Sequence, residues 1–451
     1  MTEPFGGLLY GDWDGTWPVI TGGDGIFLQD MEGRKYLDAV GGSHVVTIGH
    51  GVAEIGGAMA DQARQVAYAS GRTFANSAQL ELAELIRTRT PEGLNWLYFT
   101  SGGSEATEMA IQLARQYHVE RGDNRRYKVI GRQHSYHGGT LGAVAVGGHA
   151  VHRSRLGPYL DRPHLIASPE CLHCPLALTY PACELACAED LARMIEAEDP
   201  LTVAAFIAEP IGGTTSGAMS PPAGYYEAIR AVCDQYGILF LADEVVTGFG
   251  RTGLDFAILN WRATPDIMIC SKGITSGYAP LGAVIAHDDV AATIREGSGQ
   301  VALRLTYSGN PVSCAAGLAV QRYVEKHDLV RRCAAMGKYL ERRLAVACGT
   351  SRFLAGVRGA GLLLAVWLAQ DPATGRPFPR AARAQERVIA EGMRRGIVLM
   401  GGTGTANSVE GDHILVSPPF TITELECDLL VELLTDTVSA ALSDVNKERG
   451  R

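Results

Sequence analysis

The chain of 451 residues contains no apolar run that approaches the roughly 18 residues needed to cross a membrane. It also contains no cluster of basic residues, and its formal charge is −9 with a pI near 5.8, which argues against nucleic acid as a partner. Residues 1–15, MTEPFGGLLYGDWDG, lack the basic segment of a secretory signal peptide. We therefore expect a cytoplasmic protein that binds neither nucleic acid nor membranes.

Lysine is scarce, with only six copies among 40 basic residues. One of them, Lys272, follows an apolar run from Asp266 to Cys270 and precedes Gly273. Arginine keeps its proton in proteins, whereas a desolvated lysine can lose it and become a nucleophile. A lysine at the end of an apolar strand in this chain therefore indicates chemistry rather than solubility.

Two adjacent carboxylates end another apolar run. Residues Gly237 to Ala242 lead to Asp243 and Glu244, so a buried strand is predicted to deliver an acid at its tip. Chemistry based on pyridoxal 5'-phosphate (PLP) requires both groups, because a lysine holds the aldehyde as a Schiff base and a carboxylate keeps the pyridinium nitrogen protonated. The protonated ring in turn supplies the charge that a buried Asp243 needs to stay ionised. The sequence thus predicts PLP as cofactor, with Lys272 and Asp243 as catalytic residues.

Seven motifs in one order resemble the class III (subgroup II, omega-type) aminotransferases of PLP fold type I. They are GIFLQDMEGRKYLDAVGG, YFTSGGSEATEMAIQLAR, HSYHGGT, FIAEPIGG, DEVVTGFGRTG with its following SKG, TYSGNPVSCAAGLA and VRGAGLLLAVWL. The resemblance extends over roughly Gly25 to Ile422, nearly the whole chain. It implies a PLP-dependent aminotransferase (transaminase).

The order of predicted elements favours an α/β fold. Strands and helices alternate between about residues 54 and 325, which predicts a mostly parallel central sheet with helices on both faces. Longer helices around short strands follow, which is typical of a smaller α+β domain, and the resemblance implies that the N-terminal strands join it. We expect an N-terminal segment of the small domain at 1–60, a large PLP-binding domain at 61–325, and the C-terminal small domain at 326–451.

A helix is predicted over Ser77 to Thr88, with Ser77 as its N-cap. The residues on its apolar side are predicted to be Leu80, Leu82, Leu85 and Ile86. A strand over Trp96 to Phe99 and a helix over Glu105 to Val119 are expected to follow.

The segment between that strand and helix, Ser101-Gly102-Gly103-Ser104-Glu105, allows two interpretations. Glycine permits close approach of the backbone, and a helix N-terminus presents free N–H groups to a phosphate. Alternatively, Ser104 caps the helix with Glu108 in its first turns. The resemblance implies that Gly103 and Ser104 hold the PLP phosphate. Gly102 replaces the serine usual in the family, so a side-chain contact is lost there.

Other cofactor contacts come from the resemblance alone. Tyr136, followed by His137, stands where the family has an aromatic residue that stacks on the pyridine ring; a core tyrosine is the alternative. Val245 corresponds to the aliphatic residue on the opposite ring face. Glu209, in AEPIGG, resembles a carboxylate near the cofactor and the substrate amine.

Two further residues concern the substrate pocket and a partner subunit. His44 lies where relatives with amine substrates often carry an aromatic residue in the pocket, although an isolated histidine near a turn is usually a surface residue. Thr306 resembles the threonine that reaches the phosphate of the neighbouring subunit, which implies a homodimer with shared active sites. Arg251, in GFGRTG, is interpreted as a structural or interface residue without a catalytic role.

The substrate prediction rests on a missing arginine. Relatives that act on ordinary α-amino acids carry an arginine shortly before the C-terminal Pro-Pro, where it pairs with the α-carboxylate. Leu415 occupies that place in HILVSPPFTIT, and no arginine occurs between Arg395 and Arg449. We expect ping-pong transfer between a primary amine (a terminal amine, a diamine, or an amino-sugar or aminocyclitol) and a keto-acid or aldehyde acceptor, with Lys272 as general base and acid.

Alternatives remain open at this point. Epimerases, aminomutases and decarboxylating transaminases share the same cofactor motifs. A non-enzymatic metal-binding or interaction protein would use the four-cysteine segment CLHCPLALTYPACELAC, which contains Cys171, Cys174, Cys183 and Cys187. Its spacing is compatible with tetrahedral zinc, with a disulfide, or with reduced thiols that pack an insertion.

Overall fold

The computed structural model describes residues 17–443, so the first part of the predicted N-terminal segment, 1–16, lies outside the described residues. The strands are β1 Ile20–Asp24, β2 Phe27–Asp30, β3 Lys35–Asp38, β4 Leu94–Thr100, β5 Lys128–Arg132, β6 Leu165–Ile166, β7 Val203–Ala208, β8 Leu239–Asp243, β9 Ile267–Cys270, β10 Gly282–His287, β11 Leu354–Ala360, β12 Leu363–Asp371, β13 Arg376–Pro377, β14 Ile397–Val398, β15 Met400–Gly402 and β16 His413–Val416. The α-helices are α1 Gly41–His44, α2 Ala53–Gln65, α3 Ser77–Arg87, α4 Gly103–Glu120, α5 Leu141–Val146, α6 Ala150–Leu156, α7 Ala186–Ala197, α8 Tyr225–Tyr236, α9 Asp288–Glu296, α10 Pro311–Lys326, α11 Leu329–Thr350, α12 Ala384–Arg395 and α13 Glu424–Leu442. Within residues 17–443, no helix combines the length and apolarity required to traverse a bilayer.

The central sheet has seven strands in the order β4-β10-β9-β8-β7-β5-β6. Strands β9, β8, β7, β5 and β6 pair in parallel, and β10 alone runs antiparallel to both its neighbours. Helices α3, α7, α8 and α10 contribute to the apolar core on one face, and α4 and α9 to the core on the other. Both faces are therefore covered, which explains why β7, β8 and β9 are continuous apolar runs rather than alternating ones. The predicted α/β fold is confirmed.

Two smaller sheets complete the fold. One has the order β1-β2-β3-β14 and the other the order β11-β12-β16-β15. Strand β14 pairs in parallel with β3, with Ile397 opposite Leu37. The N-terminal strands thus share a sheet with a strand from the C-terminal part of the chain.

The local predictions were wrong at two helix starts. The N-cap of α3 is Asn76, whose side chain accepts a hydrogen bond from the Gln79 N–H at 2.9 Å, and not Ser77. Leu80, predicted on the apolar side, is 60% exposed, because α3 buries Leu82 and Ile86 instead. Helix α4 begins two residues earlier than predicted.

The direction of the strands brings several loops to one edge of the sheet. Strands β7, β8 and β9 are parallel, so their carboxyl ends meet at the same edge. Strand β8 ends at Asp243, β9 leads through Ser271 to Lys272, and β7 leads to Glu209. Strand β4 points the same way and leads to the N-terminus of α4 at Gly103.

Candidate active site

A cavity of about 500 Å³ opens at this edge of the sheet. All but one of the residues that the sequence assigned to the cofactor and substrate line it. They are His44, Gly103, Ser104, Tyr136, His137, Glu209, Asp243, Val245 and Lys272. The structure therefore brings together side chains that lie up to 228 positions apart in the chain, from 44 to 272.

Lys272 lies in this cavity on a strained backbone. Its φ of +39° is in the left-handed region that a residue with a side chain adopts at a cost. Its Nζ donates a hydrogen bond to the Ser43 carbonyl at 3.0 Å. The pKa of the Lys272 amine is lowered to about 8, mainly by burial; Asp243 opposes this effect and Arg251 adds to it. An amine with such a pKa loses its proton readily near neutral pH, as a nucleophile must.

Asp243 is buried and held from two sides. Its Oδ2 lies 2.6 Å from His137 Nδ1, and its Oδ1 accepts a hydrogen bond from the Val245 N–H at 3.0 Å. His137 Nε2 is buried and has no hydrogen-bond partner within residues 17–443. The carboxylate is thus fixed in orientation by the backbone and by an imidazole, while it still faces the cavity.

Glu244, the neighbour of Asp243, binds backbone N–H groups and does not face the cavity. It is fully buried, and its oxygens accept hydrogen bonds from the Ala257 N–H at 3.0 Å, the Ile258 N–H at 2.7 Å and the Thr247 hydroxyl. Burial raises the pKa of Glu244 to about 7, although these hydrogen bonds oppose the effect. It is not among the residues that line the cavity, so of the two adjacent acids only Asp243 faces it.

Glu209 is positioned through its backbone. Its carbonyl accepts hydrogen bonds from Arg132 Nη2 and from the Tyr226 hydroxyl, both at 2.6 Å. Its side chain is buried in the cavity wall and accepts from the Gly213 N–H at 3.3 Å. Burial raises the pKa of Glu209, whereas His137 and Arg132 lower it.

The N-terminus of α4 has the features of an anion site. Its N-cap is Gly102, with no side-chain cap, so the interpretation of Ser104 as the capping residue is wrong. Ser104 Oγ instead accepts a hydrogen bond from the Gly139 N–H at 3.0 Å. A Cβ atom on Gly138 would lie 2.6 Å from Ser104 Oγ, so glycine is needed for this close approach. The free N–H groups of the first turn of α4 therefore remain available for a ligand.

Three predicted pocket residues differ in environment. Tyr136 is 43% exposed in the cavity wall, which argues against a core tyrosine. Val245 packs beneath Gly103, where an added Cβ would lie 3.0 Å from Val245 Cγ1. His44 is buried, with Nδ1 2.6 Å from Ser417 Oγ and Nε2 2.9 Å from Thr214 Oγ1. Burial lowers the pKa of His44 well below its usual range, so the surface interpretation of this residue is wrong.

Thr306 is the predicted residue that the structure does not place in the Lys272 cavity. It is exposed and lines a second cavity of about 380 Å³ together with Tyr68, Arg72 and Arg304. The Tyr68 hydroxyl donates a hydrogen bond to the Thr306 carbonyl at 3.1 Å. The two cavities share no lining residue, so within a single chain Thr306 does not contribute to the site.

Arg251 joins separate parts of the fold. Its guanidinium is buried and donates to the carbonyls of Leu362, Ser417, Pro418 and Val46 at 2.7–3.1 Å. It also lies over the Phe420 ring at 4.8 Å. Burial lowers its pKa to about 10. These contacts agree with the structural role expected from the sequence.

The four-cysteine segment lies apart from this site. Cys171, Cys174, Cys183 and Cys187 are free thiols around a small cavity of about 20 Å³. Across residues 17–443, no three or more histidine, cysteine, aspartate or glutamate side chains are arranged to hold a metal ion. The zinc and disulfide hypotheses therefore gain no support from the geometry, which corresponds to reduced thiols.

Several residues that line the cavity were not predicted from the sequence. His149 and His152 line it, as do Thr214, Thr215 and the segment Met400 to Thr403. The available signal was the short spacing of the two histidines in the chain.

The geometry fits PLP at three points. The buried Asp243 carboxylate suits a protonated ring nitrogen, and Lys272 suits the aldehyde. The uncapped first turn of α4, with the glycines at 102 and 103, suits the phosphate. Because these three groups line one cavity, a single PLP molecule can engage all of them.

Comparisons with known proteins agree with this site. The sequence profile of the family described as aminotransferase class-III matches residues 12–438. The chain is 34% identical to an uncharacterized aminotransferase, YodT, of Bacillus subtilis, over 98% of this chain and 99% of that protein. It is 33% identical to the diaminobutyrate–2-oxoglutarate transaminase of Halomonas elongata, over 98% and 94% of the two chains. The crystal structure of a thermostable (S)-enantioselective omega-transaminase from Thermomicrobium roseum superposes with a TM-score of 0.86 at 37% identity, covering 95% and 93%.

The same relatives bear on the alternatives. Each is named as an aminotransferase, so the epimerase, aminomutase, decarboxylating and non-enzymatic hypotheses gain no support from them. PLP is the cofactor of such enzymes, in agreement with the geometry of the cavity.

Proposed function

The chain belongs to the class III aminotransferases, and from that membership we propose that its amino donor is a primary amine whose reacting carbon carries no carboxylate. Donors of this kind are terminal amines, diamines, and amino-sugar or aminocyclitol intermediates. The acceptor is a keto acid or another carbonyl compound. Transfer follows a ping-pong sequence, in which the donor product leaves before the acceptor binds.

The observation that carries this proposal is the lack of a guanidinium group in the cavity. Among the described residues that line it, the basic side chains are Lys272 and four histidines, with no arginine. Leu415, at the position of the carboxylate-binding arginine of relatives, is buried in a small apolar cluster with Leu363 and Ala365. Within one chain, a donor α-carboxylate would therefore lack a bidentate arginine partner.

The protein's own groups account for the chemistry. When bound, PLP supplies an electron sink for the electrons left on the substrate carbon. Lys272 Nζ takes the proton from that carbon and later returns one, and its lowered pKa suits both tasks. Asp243, oriented by His137 and the Val245 N–H, supplies a fixed negative charge. Glu209 presents a second acidic group, close enough to influence the Lys272 amine.

The sequence relatives support a donor of this class. The Halomonas elongata enzyme is named for diaminobutyrate, a substrate with two amino groups. The structural neighbour from Thermomicrobium roseum is named an omega-transaminase. The first name is compatible with a diamine donor, although diaminobutyrate also carries a carboxylate.

A spectroscopic titration tests the donor class. The purified PLP-bound protein is mixed with alanine, glutamate, a diamine, 1-phenylethylamine or an aminoglycoside, and the absorbance of the bound cofactor is followed. We expect one of the last three amines to convert the cofactor to pyridoxamine phosphate faster than alanine or glutamate does. Faster conversion by the two α-amino acids would contradict the proposed donor class, and conversion by none of the five would contradict the proposed transamination.

We further propose that the active unit is a homodimer in which Thr306 serves the site of the neighbouring subunit. Thr306 is exposed, and the surface around it carries the exposed side chains of Tyr68, Phe74, Leu303 and Tyr307. Such a patch on one chain is typical of a protein interface. Light scattering is expected to give about twice the chain mass of 48.1 kDa. A PLP-bound, active monomer would contradict this arrangement.

A further inference from the structure

Two histidines that line the Lys272 cavity, His149 and His152, have no role in the proposed proton transfer. His149 is the N-cap residue of α6, with an extended backbone, and His152 lies within the first turn of this helix. Their ring centroids are 4.4 Å apart, and the His152 ring lies 5.3 Å from that of Tyr136. Both imidazoles line the cavity that Lys272 and Asp243 line.

The other two histidines of the cavity are already engaged. Both ring nitrogens of His44 lie within 2.9 Å of hydroxyl oxygens, and His137 Nδ1 is 2.6 Å from Asp243. His149 Nδ1, like His137 Nε2, is buried without a hydrogen-bond partner within residues 17–443, but His137 is anchored to Asp243 through its other ring nitrogen. A buried polar atom of this kind carries an energetic penalty that a ligand can relieve. His149 thus lines the cavity and carries an unused hydrogen-bonding group that a small rotation of the ring can bring to a ligand.

A keto-acid acceptor needs a partner for its carboxylate, and these histidines can supply one. If the chain is the transaminase proposed above, a keto-acid acceptor brings a carboxylate into a cavity lined by no arginine within the described residues. A buried carboxylate is costly unless it is paired or hydrogen-bonded. Of the groups that line the cavity, His149 and His152 are the basic side chains still free to pair with it.

We propose that His149 and His152 form the site for the carboxylate of a keto-acid acceptor. This inference rests on the proposed function and deepens it. Each imidazole can donate an N–H to a carboxylate oxygen, and a protonated imidazole adds an ion pair. No covalent step is involved.

Histidine suits a cavity that must accept two kinds of ligand in turn. An arginine would stay charged when an uncarboxylated donor occupied the same space, and would then lack a partner. A histidine can release its proton for the donor and regain it for the acceptor, because its ordinary pKa lies near neutrality. The pair therefore permits one cavity to alternate between an amine without a carboxylate and an oxo acid with one.

The surrounding charges define the expected effect of pH. Burial lowers the pKa of His149, and the neighbouring His152 and His134 lower it further. Burial also lowers the pKa of His134, which Glu170 partly offsets, and Glu170 is itself paired with Arg358. Tyr136 is the other titratable group against the pair. A carboxylate is therefore expected to bind more tightly as the pH falls below 6.5, the ordinary pKa of the His149 imidazole, with uptake of a proton.

The test compares a small acceptor that carries a carboxylate with a small acceptor that does not. The enzyme, loaded with pyridoxamine phosphate, is mixed with pyruvate or with propanal, and the apparent KM for each is obtained from the return of the cofactor absorbance. We expect His149→Leu to raise the KM for pyruvate about tenfold or more, as the loss of a charge-assisted hydrogen bond implies, and to change that for propanal by less than about twofold. His149→Asn, which keeps a donor, is expected to lie between wild type and His149→Leu. His327→Leu, at an exposed histidine after α10, is the matched control.

A binding measurement separates this inference from the proposed function. Calorimetric titration of the PLP-bound protein with propionate, in two buffers of different ionisation enthalpy, should show proton uptake in wild type and none in the double variant H149L/H152L. Equal changes in KM for pyruvate and propanal, no change in either, or no uptake of protons would overturn the carboxylate site. If neither carbonyl restores the cofactor absorbance in wild type, the transaminase proposal fails, while the propionate titration still decides whether the histidines bind carboxylate.

Discussion

Replacement of Lys272 by alanine is expected to lower turnover by about 10⁴-fold or more, because general acid–base catalysis alone contributes roughly 10²–10⁴-fold. The variant loses the amine that takes the proton from the substrate carbon and also loses the covalent link to the cofactor. PLP is still expected to bind through Asp243 and the first turn of α4, but without the visible absorbance of the covalently held form. Absorption spectra and single-turnover rates with the best amine of the panel would measure both effects.

Two further lysine variants make this experiment specific. Lys272→Arg keeps a positive charge of similar length but cannot lose its proton, so it should be as inactive as Lys272→Ala. Lys338→Ala removes an exposed lysine from α11 and should leave turnover unchanged. If Lys272→Arg retained substantial turnover, proton transfer by this side chain would be excluded as the source of catalysis.

The pH dependence of cofactor capture offers an independent check on the same side chain. Burial lowers the pKa of Lys272 to about 8 in the structure without ligand. The neutral amine is the nucleophile, so PLP capture should accelerate as the pH rises to about 8 and then level off. This behaviour belongs to wild type alone, and Lys272→Ala should show no covalent capture at any pH.

The meeting of Asp243 and Lys272 in one cavity follows from a simple rule of sheet geometry. Asp243 and Lys272 each follow a continuous apolar run, and the carboxyl ends of neighbouring parallel strands lie at one edge. Strands β8 and β9 are indeed adjacent, so residues 29 positions apart in the chain meet in one cavity. Local composition predicted the two strands and the residues at their ends, whereas the adjacency of the strands is a property of the fold.

Other features depend on contacts that local composition does not encode. His44 looked like a surface histidine, yet it is buried by hydrogen bonds to Thr214 and Ser417, which come from distant segments. The exposure of Leu80 likewise depends on which face of α3 meets α10, not on the apolar spacing within α3. The burial of His44 and the exposure of Leu80 both depend on contacts with segments that are distant in the sequence.

Asp243→Asn is expected to reduce turnover by between about 100-fold and about 5,000-fold, which corresponds to the roughly 3–5 kcal/mol lost when one member of a buried charge pair is removed. Asparagine preserves the size of the side chain and can still accept from the Val245 N–H. What it lacks is the negative charge that favours a protonated cofactor ring. The single-turnover rate with saturating amine reports this loss directly, and the KM for the amine should change much less. A rate within about tenfold of wild type would show that the charge is not required.

Glu244→Gln is the matched control for Asp243→Asn, since it makes the same chemical change one residue away. Glu244 holds the Ala257 and Ile258 N–H groups and does not line the cavity, so its variant should keep the cofactor absorbance and most of the turnover.

Burial raises the pKa of Glu244 from 4.5 to about 7. Folding therefore favours its protonated form, and the stability that it contributes is full below about pH 4.5 and is lost as the pH rises towards about 7. Glutamine cannot titrate, so the thermal unfolding temperature of Glu244→Gln should depend less on pH in that window than that of wild type. Together the two variants distinguish a carboxylate that acts on the cofactor from a carboxylate that supports the loop behind it.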